Sequence, residues 1–259
     1  MNYISEDKTR TFYDDYDESM RLTQDNRHLV EYHRKKFLYG CLINAYKPKT
    51  ILQIACGTGA YTKCLCEIYP NIKITASDLI EKHVEQVPDY PNLTKLVWDC
   101  STEILKSFGQ FDMILVEGAW YHLEYGDRIK LLDNIKKLNA KVVVIDWLSK
   151  FHEYIQRTLQ DQTTANFYNP RSGSPFVFDT EEDIKYFTKK DFRNYKLRLY
   201  PVDLNIRFGF RDFNTLDAKT VRNFILDLNN HILLYSKQQT FILNSTEHGC
   251  YVLTHKNLE

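Results

Sequence analysis

Ile51-Leu52-Gln53-Ile54-Ala55-Cys56-Gly57-Thr58-Gly59 is a compact apolar run that ends in two glycines, and its reading decides the fold. Short runs rich in Val, Ile and Leu are expected of strands covered on both faces by helices. Glycines at the carboxyl end of such a strand permit unusual φ and let a ligand approach the backbone, and that end is where open α/β sheets bind ligands. Four more runs of the same kind follow, so strands are predicted at 50–55, 72–77, 93–98, 111–117 and 141–147. Between them lie helix-like stretches at 61–69, closed by Pro70, at 80–87, closed by Pro88, and at 127–138. This alternation implies an α/β chain with a doubly wound, mostly parallel sheet.

Upstream, 29–45 has the length and periodicity of a helix, and an acidic, tyrosine-containing segment, 12–20, precedes it. Downstream of Phe151 the pattern changes to a longer strand-like run at 196–207, a helical stretch near 218–234 and a last strand at 249–255. The segment 169–175, with Pro170, Gly173 and Pro175, is the clearest loop. The expected organisation is a helical cap over the cofactor site (1–48), a cofactor-binding core (49–150), and a part continuous with that core (151–259) that completes the sheet and carries substrate-side insertions.

Hydrophobic residues make up 43% and charged residues 26%, enough to bury a sizeable core without metals or disulfides. Lys+Arg and Asp+Glu are equal at 34 each, so no overall positive field gathers phosphates; a small-molecule substrate is expected and nucleic acid is not. The basic runs Arg34-Lys35-Lys36 and Lys189-Lys190 read as solvated helix faces. The six cysteines lack zinc-ligand spacing, and several sit in apolar runs as small hydrophobes, which suggests free thiols in a reducing compartment and no bound metal. The polar N-terminus has no signal core, and no stretch of roughly 18 apolar residues occurs, so a cytoplasmic chain without membrane contact is expected. Oligomeric state is not legible.

Asp78 closes the second predicted strand about 20 residues past the glycine turn, where a carboxylate accepts hydrogen bonds from ribose hydroxyls; the same residue also suits the cap of the helix that follows. A nucleoside-containing cofactor is implied. The dinucleotide fingerprint needs a third glycine for close helix packing, and Thr62 occupies that place, which disfavours a dehydrogenase.

The stretch Gln53-x-Ala55-Cys56-Gly57-Thr58-Gly59 resembles the D-x-G-C-G-T-G motif of class I S-adenosylmethionine-dependent methyltransferases, and 74–79 resembles their second motif, with its ribose-binding acid followed by Leu79. Trp98-Asp99-Cys100 is similar to the third motif, and the run from Phe111-Asp112 to Glu117-Gly118, followed by His122-Leu123, is similar to the fourth. The resemblance covers roughly 29–147, in the family's order, and a narrower one, at the N-terminal run, is to bacterial small-molecule methyltransferases. It implies a seven-stranded sheet with an antiparallel C-terminal strand, S-adenosylmethionine as cofactor, Asp99 at the adenine amino group and the Cys100 backbone at a ring nitrogen. The run 13–22, with His28-Leu29-Val30-Glu31, looks like the N-terminal helices that fold over that cofactor, with Tyr16 against the methionine chain and Arg21 paired to its carboxylate. Two positions depart from the motif. Gln53 replaces the acid but keeps a carbonyl oxygen able to accept from the methionine ammonium, and Ala55 replaces the first glycine, which is tolerable at negative φ. Weaker cofactor binding is the expected consequence.

Methyl transfer from a sulfonium is an in-line displacement, so the protein mainly aligns an acceptor lone pair with the methyl group. An oxygen or nitrogen acceptor with a removable proton benefits from a base, and His122 after the fourth strand is the candidate, with Tyr121 beside it on the acceptor side. Glu117 serves the cofactor or an acceptor amine, and Asp146-Trp147, at the end of the fifth strand, line the same pocket. In the aromatic, arginine-containing tail, Arg207 or Arg211 is the candidate for recognising an acidic acceptor.

Overall fold

A computed structural model describes residues 26–104, 108–123, 125–148, 192–203 and 248–258. Helix α1 (Asn26–Tyr46) leads into β1 (Thr50–Ile54), followed by α2 (Ala60–Ile68), β2 (Lys73–Asp78), α3 (Glu81–Gln86) and β3 (Leu93–Val97). Then come β4 (Met113–Val116), a 3-10 turn at Trp120–His122, α4 (Tyr125–Leu138), β5 (Val142–Leu148), β6 (Tyr195–Asp203) and β7 (His248–His255). The strands form one sheet in the order β3-β2-β1-β4-β5-β7-β6. Its first five strands are parallel, and β7 runs antiparallel to β5 on one side and to β6 on the other. The predicted sheet, with its antiparallel C-terminal strand, is therefore present. The chain leaves β1 toward β2 and β3, then returns to lay β4 and β5 on the other side. The resulting switch point opens a crevice at the carboxyl ends of β1 and β4.

Successive strand residues point to opposite faces. One face carries Ile51, Met113, Leu115, Val142 and Val144 against Tyr39, Leu42 and Ile43 of α1 and Leu65 of α2. The other carries Leu52, Ile54, Ile114, Val116 and Ile145 against Leu131, Leu132 and Ile135 of α4. Both sides of the central strands are thus sealed, which is why the sequence shows unbroken apolar runs there rather than alternation. Helix α4 ends at Asn139, whose left-handed φ of 49° and N–H bond to the Ile135 carbonyl at 3.1 Å close the last turn. The described part of the predicted cap, α1, lies flat on the sheet face as a structural layer. Among its described side chains, Tyr32, Lys35 and Tyr39 lie nearest the crevice.

Among the described residues no helix is long and apolar enough to cross a membrane, and no cluster of His, Cys, Asp and Glu could hold a metal ion. All six cysteines are free thiols, and five of them are buried.

Candidate functional site

The turn after β1 is built from three left-handed residues: Ala55 at φ 59°, Gly57 at 54° and Gly59 at 90°. Backbone bonds tie it down, from Cys56 N–H to the Ser77 carbonyl at 3.0 Å and from Gly59 N–H to the Cys56 carbonyl at 3.0 Å. Ala55 overturns the expectation of a negative φ: the strand must reverse into α2 within a few residues, and the geometry demands a left-handed residue whatever its Cβ costs. Ala55→Gly should therefore raise stability by about 0.5–1 kcal/mol, the relieved strain less the added freedom of the unfolded chain. Thermal denaturation checks this; an unchanged or lower midpoint would show the strain is absorbed elsewhere.

Asp78 fastens this turn to the end of β2. Its Oδ2 accepts from Gly57 N–H at 2.8 Å and its Oδ1 from Ile80 N–H at 3.0 Å, with His83 Nδ1 at 3.6 Å. Each carboxylate oxygen keeps further acceptor capacity. Leu79 is half-buried beside it. At the end of β3, Asp99 Oδ1 accepts from both the N–H and the hydroxyl of Ser101 at 2.8 Å. Cys100 is buried: burial, with Asp99 second, pushes its thiol up to about 12, so it is an inert packing group. Asn134 of α4 donates to the Cys100 carbonyl at 3.0 Å and so holds this loop to the helix layer.

The strand ends facing α1 carry a polar row: Gln53 on β1, Glu117 just past β4 and Asp146 on β5. Thr62 donates to Gln53 Oε1 at 2.7 Å, and Gln53 Nε2 donates to Glu117 Oε2 at 3.1 Å. Gln53 is fully buried and its carbonyl oxygen already serves Thr62, so it orients Glu117 instead of presenting an open acceptor to a ligand. Thr62, singled out only as a missing glycine, is the other end of that bond. Gly118, left-handed at φ 70°, donates its N–H to Asp146 Oδ2 at 3.3 Å. Lys35 of α1 forms a buried ion pair with the same Oδ2, and the Cys250 thiol lies 3.2 Å from Oδ1.

Lys35 corrects the reading of residues 34–36 as a solvated face: its side chain is 5% exposed and ion-paired. The signal was in the periodicity, because 35 falls in the stripe of 32, 39, 42, 43 and 46 that packs on the sheet. Trp147 is a second correction. It is fully buried on the opposite face from Asp146, in the α4-side core and 5.9 Å from the Tyr251 ring, so it cannot line an acceptor site. Past Gly118, Trp120 is buried under Arg128, whose guanidinium lies 4.5 Å from its ring and whose Nε donates to its carbonyl at 3.0 Å. This anchors the 3-10 turn and leaves Tyr121 and His122 half-buried, their rings 4.7 Å apart. A Cβ on Gly118 would stand 3.5 Å from the Tyr121 hydroxyl, so Tyr121 lies over the end of β4.

The structure thus gathers Ala55, Cys56, Gly57, Gly59, Asp78, Leu79, Asp99, Cys100, Glu117, Gly118, Tyr121 and His122 around the carboxyl ends of four neighbouring strands. Tyr16, Arg21, Arg207 and Arg211 lie outside the described residues, as do the segments 12–20, 169–175 and 218–234 and the Lys189-Lys190 run.

A family profile described as Methyltransferase domain matches residues 51–141. Malonyl-(acyl-carrier protein) O-methyltransferase of Anoxybacillus flavithermus is 36% identical over 83 residues, 30% of this chain and 30% of its own. Malonyl-(acyl-carrier protein) O-methyltransferase 1 of Ilyobacter polytropus is 27% identical over 178 residues, 66% of this chain and 63% of its own. The chain therefore spans less than two thirds of either relative's length. The crystal structure of a SAM-dependent methyltransferase from Archaeoglobus fulgidus superposes with a TM-score of 0.55 at 17% identity, over 88% of this chain and 94% of that one; the likeness is one of fold.

Proposed function

We propose, with residues 51–141 as a methyltransferase domain, that the whole chain is a class I S-adenosylmethionine-dependent methyltransferase that methylates an oxygen or nitrogen of a small-molecule acceptor. The observation that carries the reading is the pinned left-handed turn of Ala55, Gly57 and Gly59, bonded through Gly57 N–H to the acid at the end of β2. A backbone so held offers close approach to a nucleoside, with the Asp78 carboxylate beside it for ribose hydroxyls.

S-adenosylmethionine supplies an electrophilic methyl group on its sulfonium. Asp78 would hold the ribose and Asp99, with the Cys100 backbone, the adenine, Leu79 lying beside them. Glu117 would take the ammonium of the methionine end, and the turn from Ala55 through Cys56 to Gly59 would line the path between. Tyr16 and Arg21 are the candidates for the methionine chain and its carboxylate. Tyr121 and Arg207 would meet the acceptor, and His122 would hold the proton that the acceptor gives up. The balanced charge of the chain, 34 basic and 34 acidic residues, favours a small acceptor over nucleic acid, and its free thiols suit the cytoplasm.

Calorimetric titration with S-adenosylhomocysteine, followed by turnover of labelled S-adenosylmethionine over a panel of phenols, amines and carboxylic acids, tests the reading. Failure to bind the product at millimolar concentration would refute it. His122→Ala should lower kcat by roughly 10²–10⁴ with product binding intact, and flatten the acid limb of the rate–pH profile. Wild-type turnover across pH would remove His122 from the chemistry.

A further inference from the structure

Thr62, which stands where a dinucleotide-binding turn would have its third glycine, has a task of its own. It is the third residue of α2 and fully buried, as is Gln53 on β1. The Thr62 hydroxyl donates to Gln53 Oε1 at 2.7 Å, and Gln53 Nε2 donates to Glu117 Oε2 at 3.1 Å. The backbone of Gln53 is fixed as well: its carbonyl accepts from Ser77 Oγ at 3.1 Å, and the residue sits in register between Ala76 of β2 and Leu115 of β4. A side-chain amide on a backbone so held can present either its nitrogen or its oxygen to a neighbour. Facing the nitrogen to a carboxylate is favourable only if the amide oxygen, turned the other way into the protein, finds a donor there, because a stranded buried acceptor is costly. Thr62 is that donor. The two hydrogen bonds therefore run in one direction, from α2 through β1 to the side chain at the end of β4, and each polarises the next.

We infer that Thr62 is a positioning residue for the cofactor's amino group: through Gln53 it holds the Glu117 carboxylate in the orientation that receives the ligand's ammonium. The inference rests on the function proposed above. Valine at 62 fills the same space but strands Gln53 Oε1; the amide relieves this by turning over or swinging aside, and either movement withdraws the donor from Glu117 Oε2. Serine keeps the hydroxyl and so the chain of bonds. The contribution is that of this one chain, so it is read as a difference between variants at 62 with Glu117 present and with Glu117 replaced.

The test compares S-adenosylhomocysteine with the analogue lacking its α-amino group, by calorimetry on the wild type, Thr62→Val, Thr62→Ser, Glu117→Gln and the double variant Thr62→Val/Glu117→Gln. The wild type should prefer the amino-bearing ligand by at least about 10-fold, the scale of a hydrogen bond to a charged group. Thr62→Val should cut that preference to below about 3-fold, and Thr62→Ser should keep most of it. Glu117→Gln should lack the preference, and adding Thr62→Val should change the ratio no further. A merely structural hydroxyl would weaken both ligands equally and leave their ratio at the wild-type value, which overturns the inference. So does a Thr62→Val effect on the ratio that persists undiminished with Gln at 117. Where Thr62→Val alone does not fold, Thr62→Val/Gln53→Met removes the stranded amide together with its donor; it too should lose the preference, and wild-type preference in that variant overturns the inference. A wild type that binds both ligands equally well overturns it also, whereas one that binds neither refutes instead the proposed cofactor.

Discussion

Asp78→Ala is expected to abolish measurable binding of S-adenosylhomocysteine and to lower the melting temperature in the same step. The carboxylate accepts backbone N–H groups from both Gly57 and Ile80 in a buried setting, so its loss strips two donors of their partner and frees the turn from β2. Hydrogen bonds to a charged group contribute roughly 1.5–3 kcal/mol each. Allowing for water entering the gap, a net loss of about 2–4 kcal/mol follows, which for a chain of this size is a fall of roughly 5–15 °C. Binding loses the ribose acceptor as well as the turn geometry, and a drop of at least about 100-fold, or 2.7 kcal/mol, is expected. Asp78→Asn, which keeps one acceptor oxygen, should fall between. Were Asp78→Ala to melt early yet bind the product as tightly as the wild type, the residue would serve only the turn and the cap of α3.

Gly59→Ala carries the second large effect, and its cause is steric. A Cβ at residue 59 would stand 2.9 Å from Val87 Cγ1 and 3.0 Å from Cγ2, with φ at 90°. Val87 is buried, β-branched and held just before Pro88, so it has little room to turn away. Overpacking costs about 1–3 kcal/mol and the left-handed backbone about 1–2 more. A destabilisation of about 2–5 kcal/mol is therefore expected, read as a shift of the denaturant midpoint. Val87→Ala in the same chain should return the steric part and none of the backbone part. A double variant no more stable than the sum of the two single changes would show that the Gly59–Val87 contact does not set the cost.

The sheet was legible because its central strands β1, β4 and β5 are buried on both faces, which leaves continuous apolar runs that no amphipathic helix imitates. The glycine turn and Asp78 were legible for the same reason: they sit where such runs stop. What escaped were properties of single side chains. Asp146 and Trp147, adjacent in sequence, were read as a pair lining one pocket, yet the two-residue period of a strand sends them to opposite sides. Lys35 was read from the charge of its neighbours rather than from its place in the helical stripe. Ala55 gave no sign of its φ, because the conformation is imposed by the strand-to-helix reversal and not by the residue. The carbonyl of Gln53 was assigned to the ligand because the donor that claims it, Thr62, was read only as a glycine that is missing.

The position of β7 between β5 and β6 bears on how the chain survives its own synthesis. Residues 142–148 are translated long before 248–255, which finally pair with them. In the interval Val142-Val143-Val144-Ile145-Asp146-Trp147-Leu148 has one edge open, a segment of high β propensity with a single charge, the kind that recruits strands from other chains. Asp146, in its middle, is then a gatekeeper against aggregation. The carboxylate that pairs with Lys35 in the folded sheet thus also interrupts the apolar run of the nascent strand.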